Sequence, residues 1–100
     1  MRVWFESDPT LFEACTDNPE EVWAAILEIL KRELTEVQMA ELAAGPLETI
    51  LAYHGPVFID RVEVEARRSE RFNRLLGGVW RNSIKKGVWH RIEAVRKAIW

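Results

Sequence analysis

Apolar residues recur at helical spacing along most of the chain, in short stripes separated by Gly-Pro steps, serines or polar runs. Spacings of three and four residues place side chains on one face of a helix. Three stripes follow this rule: Val22, Trp23, Ile26, Leu27 and Leu30; Phe72, Leu75, Leu76, Val79 and Trp80; and Val88, Trp89, Ile92, Val95 and Ile99. The pattern therefore predicts several amphipathic helices.

Typical helix starts stand just before these and other segments. An Asp, Asn, Ser or Thr side chain can accept a hydrogen bond from the first helical turn, proline fits the first helical position, and Glu or Gln three residues after the cap completes a capping box. The predicted starts are Asp8-Pro9, Asn18-Pro19 with Glu21, Thr35 with Gln38, and Ser69. They predict helices over residues 9–15, 19–33 and 35–44, and another from Ser69.

Two Gly-Pro steps, Gly45-Pro46 and Gly55-Pro56, divide the middle of the chain. Glycine can take the positive φ that ends one helix, and proline can begin the next. We therefore expect a helix of two to three turns between the two steps and a new helix after the second.

The segment Val57 to Arg67 fits two patterns. Residues 61–65 alternate like a strand, whereas Phe58, Ile59, Val62 and Ala66 form a helical stripe. We favour a helix because a lone strand would leave its backbone groups unpaired. For Gly77-Gly78 two interpretations stay open: the helix ends at Leu76, or the glycines permit a close helix crossing.

These elements predict an all-α fold, as one domain over residues 1–100. We expect a compact array of six to seven short helices, antiparallel or orthogonal. The Val-Trp pairs at 22–23, 79–80 and 88–89 echo one another weakly, so a short HEAT-like solenoid is a variant of this prediction. The last helix is expected to run to about Ala98.

The net charge of −2 hides a difference between the two halves of the chain. Residues 1–50 hold three basic and eleven acidic residues, which gives −8, whereas residues 51–100 hold eleven basic and five acidic, which gives +6. Two explanations stay open. Either acidic and basic helices face one another within the fold or a dimer, or one half meets a charged partner.

Few residues could carry catalysis. Cys15 is more typical of inert packing, His54 is placed to bond helix C-terminal carbonyls, and His90 beside Trp89 is expected at a core edge. No His or Cys pair has metal-ligand spacing, and Gly77-Gly78 lacks the lysine of a phosphate loop. We expect no enzymatic activity, no cofactor and no metal.

The chain also lacks the pattern of a secreted or membrane protein. Acidic residues interrupt the first apolar run, no window approaches the roughly 20 apolar residues of a membrane span, and the lone Cys15 rules out an internal disulfide. We expect a cytoplasmic protein without a membrane partner.

A cluster of arginines and a tryptophan is the candidate partner-binding site. Arg and Trp are favoured anchors of interfaces, and clustered cations beside an aromatic ring also suit nucleic acid. The candidate residues are Arg67, Arg68, Arg71, Arg74, Trp80, Arg81 and Asn82. Arg67, Arg71 and Arg74 are expected to share one face across a helix junction. The pI of about 5.7 argues against nucleic acid.

The motif GPLE…HG…FIDRVE…LLGGVWRN, from Leu42 to about Ile92, resembles a family of small bacterial domains with no assigned activity. The resemblance implies the fold class and transfers no catalytic residues. Related chains have an acidic, capped entry to the last helix, where this chain has Lys85-Lys86-Gly87.

The sequence as a whole predicts a small non-enzymatic module of bacterial type that binds a protein partner and serves a regulatory or inhibitory role. The Arg/Trp surface is one predicted docking face, and the acidic face of the helix from Glu20 to Glu36 is another. Homodimerisation is a further prediction. The alternative function is nucleic-acid binding by the basic C-terminal half.

Overall fold

A computed structural model describes residues 17–97 of the chain. These residues form five α-helices and one π-helical turn, with no strand among them. The elements are α1 (Pro19–Leu30), α2 (Glu36–Leu42), the π-turn (Ala43–Leu47), α3 (Glu48–Arg68), α4 (Glu70–Leu76) and α5 (Lys86–Val95). The predicted helix over residues 9–15 lies outside the described residues, as do Trp4, Cys15 and Trp100.

The all-α prediction is confirmed, whereas the finer architecture is not supported. The described residues contain five α-helices and not six to seven, because the chain stays helical through Gly45-Pro46 and because the predicted helix over residues 9–15 lies outside them. A HEAT-like solenoid requires each helix pair to contact only its neighbours. Here the long helix α3 packs against α1, the π-turn, α4 and α5, so it forms a shared centre.

The first described helix keeps its predicted start and ends earlier than expected. Pro19 stands at its first position, but the side chain of Asn18 makes no cap hydrogen bond, so the predicted capping box with Glu21 does not form. The helix ends at Leu30 instead of Glu33. Its apolar stripe turns inward, as the spacing predicts.

The capping box that begins α2 is confirmed. The hydroxyl of Thr35 accepts a hydrogen bond from the backbone N–H of Gln38 at 3.1 Å, and the Gln38 side chain accepts from the N–H of Thr35 at 2.9 Å. Both contacts are local in sequence, which is why the spacing of the two residues was enough to predict them.

The break predicted at the first Gly-Pro step is wrong. At Gly45-Pro46 the chain forms the π-turn, in which the N–H of Glu48 bonds the carbonyl of Ala43 five residues earlier. The wider turn accommodates the proline ring, which would clash with a carbonyl in a regular α-helix. No glycine among residues 17–97 has a positive φ.

At the second step the predicted break is present as a kink, and α3 consists of two helical segments that meet there. His54 leaves helical geometry with φ −132° and ψ 22°, and the helix then resumes through Pro56 to Arg68. The preference for helix over strand in residues 57–67 is confirmed. Gly55 is buried against α5, where an added Cβ would lie 3.1 Å from both methyl groups of Val88. Gly55 therefore permits close packing of two helices.

Helix α4 begins at the predicted cap, and its end decides between the two interpretations of Gly77-Gly78. The Ser69 hydroxyl accepts a hydrogen bond from the N–H of Phe72 at 3.1 Å, as its cap position predicts. The helix ends at Leu76, and Gly77-Gly78 form the turn that follows. The last helix, α5, ends at Val95 and not near Ala98.

The core lies between α1, α3 and α4. The Trp23 ring packs against Phe58 and Phe72, with centroids 5.6 and 5.7 Å apart, in the tilted geometries that aromatic pairs prefer. Leu47 of the π-turn and Ile92 of α5 are also fully buried. No helix in the described part of the chain is both long enough and apolar enough to cross a membrane.

Candidate interaction site

The predicted partner-binding residues do not line one common cleft. Arg68 and Arg71 line a cleft of about 600 Å³ between α1 and the junction of α3 with α4, which we call the arginine cleft. Trp80 and Arg81 line a smaller cleft of about 260 Å³, which we call the Trp80 cleft. The structure therefore divides a group of residues that the sequence suggested as one surface.

Arg71 joins two helices. Its guanidinium reaches from α4 to the end of α1, where Nε donates to the carbonyl of Leu30 at 2.5 Å and Nη2 donates to the carbonyl of Arg32. The last carbonyls of a helix have no partner within the helix and favour a cation. Arg71 therefore caps α1 from a distance of 41 residues in sequence.

The neighbouring arginines also have partners within the chain. Arg68 pairs with Glu65 at 2.9 Å, one turn earlier on α3, and Arg74 of α4 lies 3.8 Å from Glu36 of α2. Arg67 is exposed near Glu63, and its charge helps to lower the pKa of that carboxyl. The face predicted for Arg67, Arg71 and Arg74 is therefore partly used to hold the fold together.

Trp80 is the most exposed large apolar side chain of the described residues, at 68% of its full surface. Its backbone is nevertheless fixed. Glu48, at the start of α3, accepts the N–H of Trp80 at 2.9 Å with one carboxylate oxygen and the side-chain amide of Asn82 at 2.7 Å with the other. One carboxylate therefore fixes the backbone from which an exposed indole projects.

Asn82 is part of this turn and not a free binding group. It has the only positive φ of a non-glycine residue among those described, 40°, in the left-handed region that Asn tolerates best. Arg81, the next predicted site residue, donates from Nε to the carbonyl of Ile84 at 3.3 Å. Both residues shape the loop that presents Trp80.

Trp89 and Arg96, which lie outside the predicted partner-binding group, complete the Trp80 cleft. The guanidinium of Arg96 lies over the Trp89 ring, 4.6 Å from its centroid, and also donates to the carbonyl of Val79 at 3.2 Å. Trp89 and Arg96 both line the cleft. Their separation of seven residues, which places them on one side of a helix, is the signal that could have linked them.

Ion pairs join several helices, and two of them among the described residues link the acidic first half of the chain to the basic second half. Arg61 of α3 binds both carboxylate oxygens of Glu20 on α1, at 2.6 and 2.8 Å, and this hydrogen bonding lowers the pKa of Glu20. Arg91 of α5 binds Glu63 and Asp60 of α3 at 2.6 and 2.5 Å. Its hydrogen bond lowers the pKa of Glu63. The pairs of Arg91 lie within the second half, so only the two contacts between the halves support internal complementarity, the first of the two predicted explanations.

A buried carboxylate lies near the π-turn. Glu41 is only 8% exposed, and neither of its oxygens has a hydrogen-bond partner. Such burial costs free energy unless the group is paired. In the sequence, Glu41 is one of many acidic residues. Its position two residues after Met39 gives no local sign that the carboxylate is buried.

The two histidines considered for catalysis lie on different helices. His54 lies at the kink where the two segments of α3 meet, and His90 is exposed on α5 instead of at a core edge. Within residues 17–97 no group of three or more His, Cys, Asp or Glu is arranged to hold a metal ion.

Comparison with known proteins gives one match. A family model described as "Family of unknown function (DUF6869)" matches residues 2–99. Neither a curated protein nor a solved structure matches the chain.

Proposed function

The chain belongs to this family of unknown function, and we propose that it is a small non-enzymatic module that binds a protein partner through the Trp80 cleft, in a regulatory or inhibitory role of bacterial type. The proposal keeps the predicted docking chemistry of Arg and Trp. It moves the centre of the site from the arginines of α3 and α4 to Trp80, Arg81, Trp89 and Arg96.

The observation that carries the proposal is the exposure of Trp80 on a fixed backbone. An indole left 68% exposed loses the stabilisation that burial would give it. Glu48 holds the turn in place before any partner arrives, so little conformational entropy is lost on binding. Preorganised Trp side chains beside Arg are typical centres of binding energy in protein interfaces.

The shape and charge of the cleft favour a protein partner over a small substrate. Its volume of about 260 Å³ lies below the range of roughly 300–1,000 Å³ typical of ligand pockets, and suits one side chain of a partner. Arg81 and Arg96 add positive charge at the edge. We therefore expect an apolar anchor residue flanked by a carboxylate.

The arginine cleft supports the proposal less well. Arg71 is committed to the end of α1, and Arg68 and Arg74 pair with Glu65 and Glu36. These pairs also lower the support for nucleic acid, which requires cations available to phosphates. The acidic face of α1 and α2 is engaged in the same way, since Glu20 and Glu36 bind arginines.

An affinity capture experiment tests the proposal. The full chain is immobilised and exposed to bacterial lysate with and without nuclease, in parallel with Trp80→Ala and the control Val37→Ala, which removes an apolar side chain of similar exposure (61%) that lines none of these clefts. We expect one stoichiometric protein to be retained by the wild type and the control, and lost with Trp80→Ala.

Two results would overturn the proposal. Equal capture by wild type and Trp80→Ala would remove the Trp80 cleft as the docking site. Loss of the captured material after nuclease treatment would favour the alternative function in nucleic-acid binding, which should then weaken steeply with salt.

A further inference from the structure

The central helix α3 carries an apolar strip on its solvent-facing side. Tyr53, Val57 and Val64 are three of the five exposed large apolar side chains among the described residues. Val57 is 63% and Val64 55% exposed. A helix in the middle of the fold thus buries one face in the core and leaves a second apolar strip in water.

The exposed residues of this strip share one face of the straight part of α3, after the kink at His54. Counting from Val57, the exposed positions fall at i, i+3, i+4, i+7, i+10 and i+11, which is the spacing of a single helical stripe. They are Val57, Asp60, Arg61, Val64, Arg67 and Arg68. Two valines therefore flank an acid and a base.

The first four of these positions are symmetric about the midpoint between Asp60 and Arg61. If a second copy packs antiparallel with its twofold axis at that point, Val57 lies opposite Val64 of the partner subunit, and Asp60 lies opposite Arg61 of the partner subunit. Both contacts then occur twice, as an isologous interface requires. We propose that the chain forms a homodimer through the Val57–Arg68 face of α3, packed antiparallel on a second copy.

Charge supports this occupant. Asp60 keeps 79% and Arg61 43% of its side-chain surface exposed, although each already has a partner within the chain. Those partners, Arg91 and Glu20, hold the two side chains in place, so little side-chain entropy is lost on dimerisation. Any other partner would need a base opposite Asp60 and an acid opposite Arg61. A second copy supplies both by symmetry.

The size of the face predicts a weak dimer. Twelve helical residues span about 18 Å, and one helix pair of this length falls short of the roughly 1,200 Å² that stable interfaces bury. We expect a dissociation constant on the order of 10–1,000 μM. Dimerisation should therefore depend on protein concentration.

Sedimentation velocity of the full chain from about 10 μM to 2 mM tests the proposal, over the range set by that affinity. We expect the mean mass to rise from monomer towards dimer. Val57→Lys and Val64→Glu each place an uncompensated charge in the interface and should remain monomeric. Val37→Glu is the matched control, since Val37 is equally exposed on α2 and should leave the dimer unchanged.

The antiparallel register predicts a specific rescue. An equimolar mixture of Val57→Lys and Val64→Glu chains can form a mixed dimer. In that dimer the introduced lysine of one chain lies opposite the introduced glutamate of the other, and the symmetry-related contact keeps its two native valines. We expect the mixture to dimerise although neither variant does alone. Far-UV circular dichroism checks that both variants keep their helices, which substitutions at exposed positions should allow.

Three results would overturn the dimer. The wild type could stay monomeric at 2 mM, the two variants could associate as well as the wild type, or the mixture could fail to recover association. Trp80→Ala should dimerise normally, because Trp80 lies on a different surface. Failure of the dimer would thus leave the proposed function intact, and failure of partner capture would leave the dimer intact.

Discussion

The guanidinium of Arg71 donates a 2.5 Å hydrogen bond to the backbone carbonyl of Leu30, so that a side chain of α4 caps the end of α1. A second donor of the same group binds the carbonyl of Arg32. The contact explains why α1 ends at Leu30, three residues before the end that its sequence suggested. The turn that follows is held by tertiary structure.

We expect Arg71→Lys to lower the free energy of unfolding by about 1–2 kcal/mol, because an ammonium group cannot reproduce the planar fork that serves two carbonyls. Urea denaturation measures the change. The matched control is Arg68→Lys, which alters an exposed pair one helical turn apart and should cost less than about 0.5 kcal/mol. Equal effects of the two variants would contradict the capping role.

Two glycines should respond oppositely to alanine. Gly55→Ala places a methyl group 3.1 Å from both methyl groups of Val88, and we expect the resulting strain to exceed the gain in helix propensity and lower stability by up to about 2 kcal/mol. At Gly87 an added Cβ meets nothing within 4 Å. Gly87→Ala should therefore raise stability by about 0.5–1 kcal/mol.

A double-mutant cycle locates the strain at Gly55. If Val88 is the obstacle, Gly55→Ala combined with Val88→Ala should be less destabilising than the sum of the two single changes. Thermal unfolding of the four proteins gives the coupling. Strict additivity would show that the strain arises elsewhere.

Replacement of Glu41 should stabilise the protein. Both carboxylate oxygens are buried without a hydrogen-bond partner, and methionine fills a similar volume without the cost of desolvating a charge. We expect Glu41→Met to raise the free energy of unfolding by about 1–3 kcal/mol at pH 7. Glu41→Gln removes the charge and keeps the polar atoms. Its free energy of unfolding should lie between that of the wild type and that of Glu41→Met. A less stable Glu41→Met protein would indicate that the carboxylate has a partner in solution.

The free energy of unfolding should fall on acidification, because carboxylates in the ion pairs of α3 become protonated. Because Arg91 lowers the pKa of Glu63 in the folded state, the ionised carboxyl stabilises the fold above the unfolded pKa of about 4.5, and this contribution is lost as the pH falls through the lower folded value. NMR titration of the Glu63 carboxyl should show its inflection move upward in Arg91→Met. Lys97→Met, which breaks only the 3.5 Å contact with Glu70, should leave the Glu63 inflection unchanged.

The parts of the fold that sequence analysis predicted correctly depend on local contacts. The caps of α2 and α4 join residues three apart, and the stripe of α1 is a repeat within one helix, so spacing alone was sufficient. The first Gly-Pro step misled because proline usually begins or ends a helix, whereas here a π-turn accommodates it. The second step does interrupt the helix, at His54, without the positive φ that was expected of a glycine.

The candidate site was predicted only in part, because burial and long-range contacts decide its use. Trp80 was a predicted partner-binding residue whose exposure the sequence left open; it is exposed, and its support by Glu48 spans 32 residues. Arg71 and Asn82 were expected to face a partner, and both instead bind groups of their own chain. Composition shows that such side chains can bind, and only the fold shows what they bind.

The buried side-chain amide of Asn73 limits how often the last turn of α5 opens. Its nitrogen donates to the carbonyls of Ala66 and Val95 at 3.1 and 3.0 Å, and its oxygen accepts the N–H of Lys97 at 2.8 Å. Terminal helices commonly fray, because their last turns open without disturbing the rest of a protein. Here the last turn of α5 cannot open without breaking bonds that also anchor α3 and α4. The amide of Lys97 should therefore exchange its hydrogen with solvent as slowly as amides of the central helix, and the final turn should unfold in one cooperative step with the core.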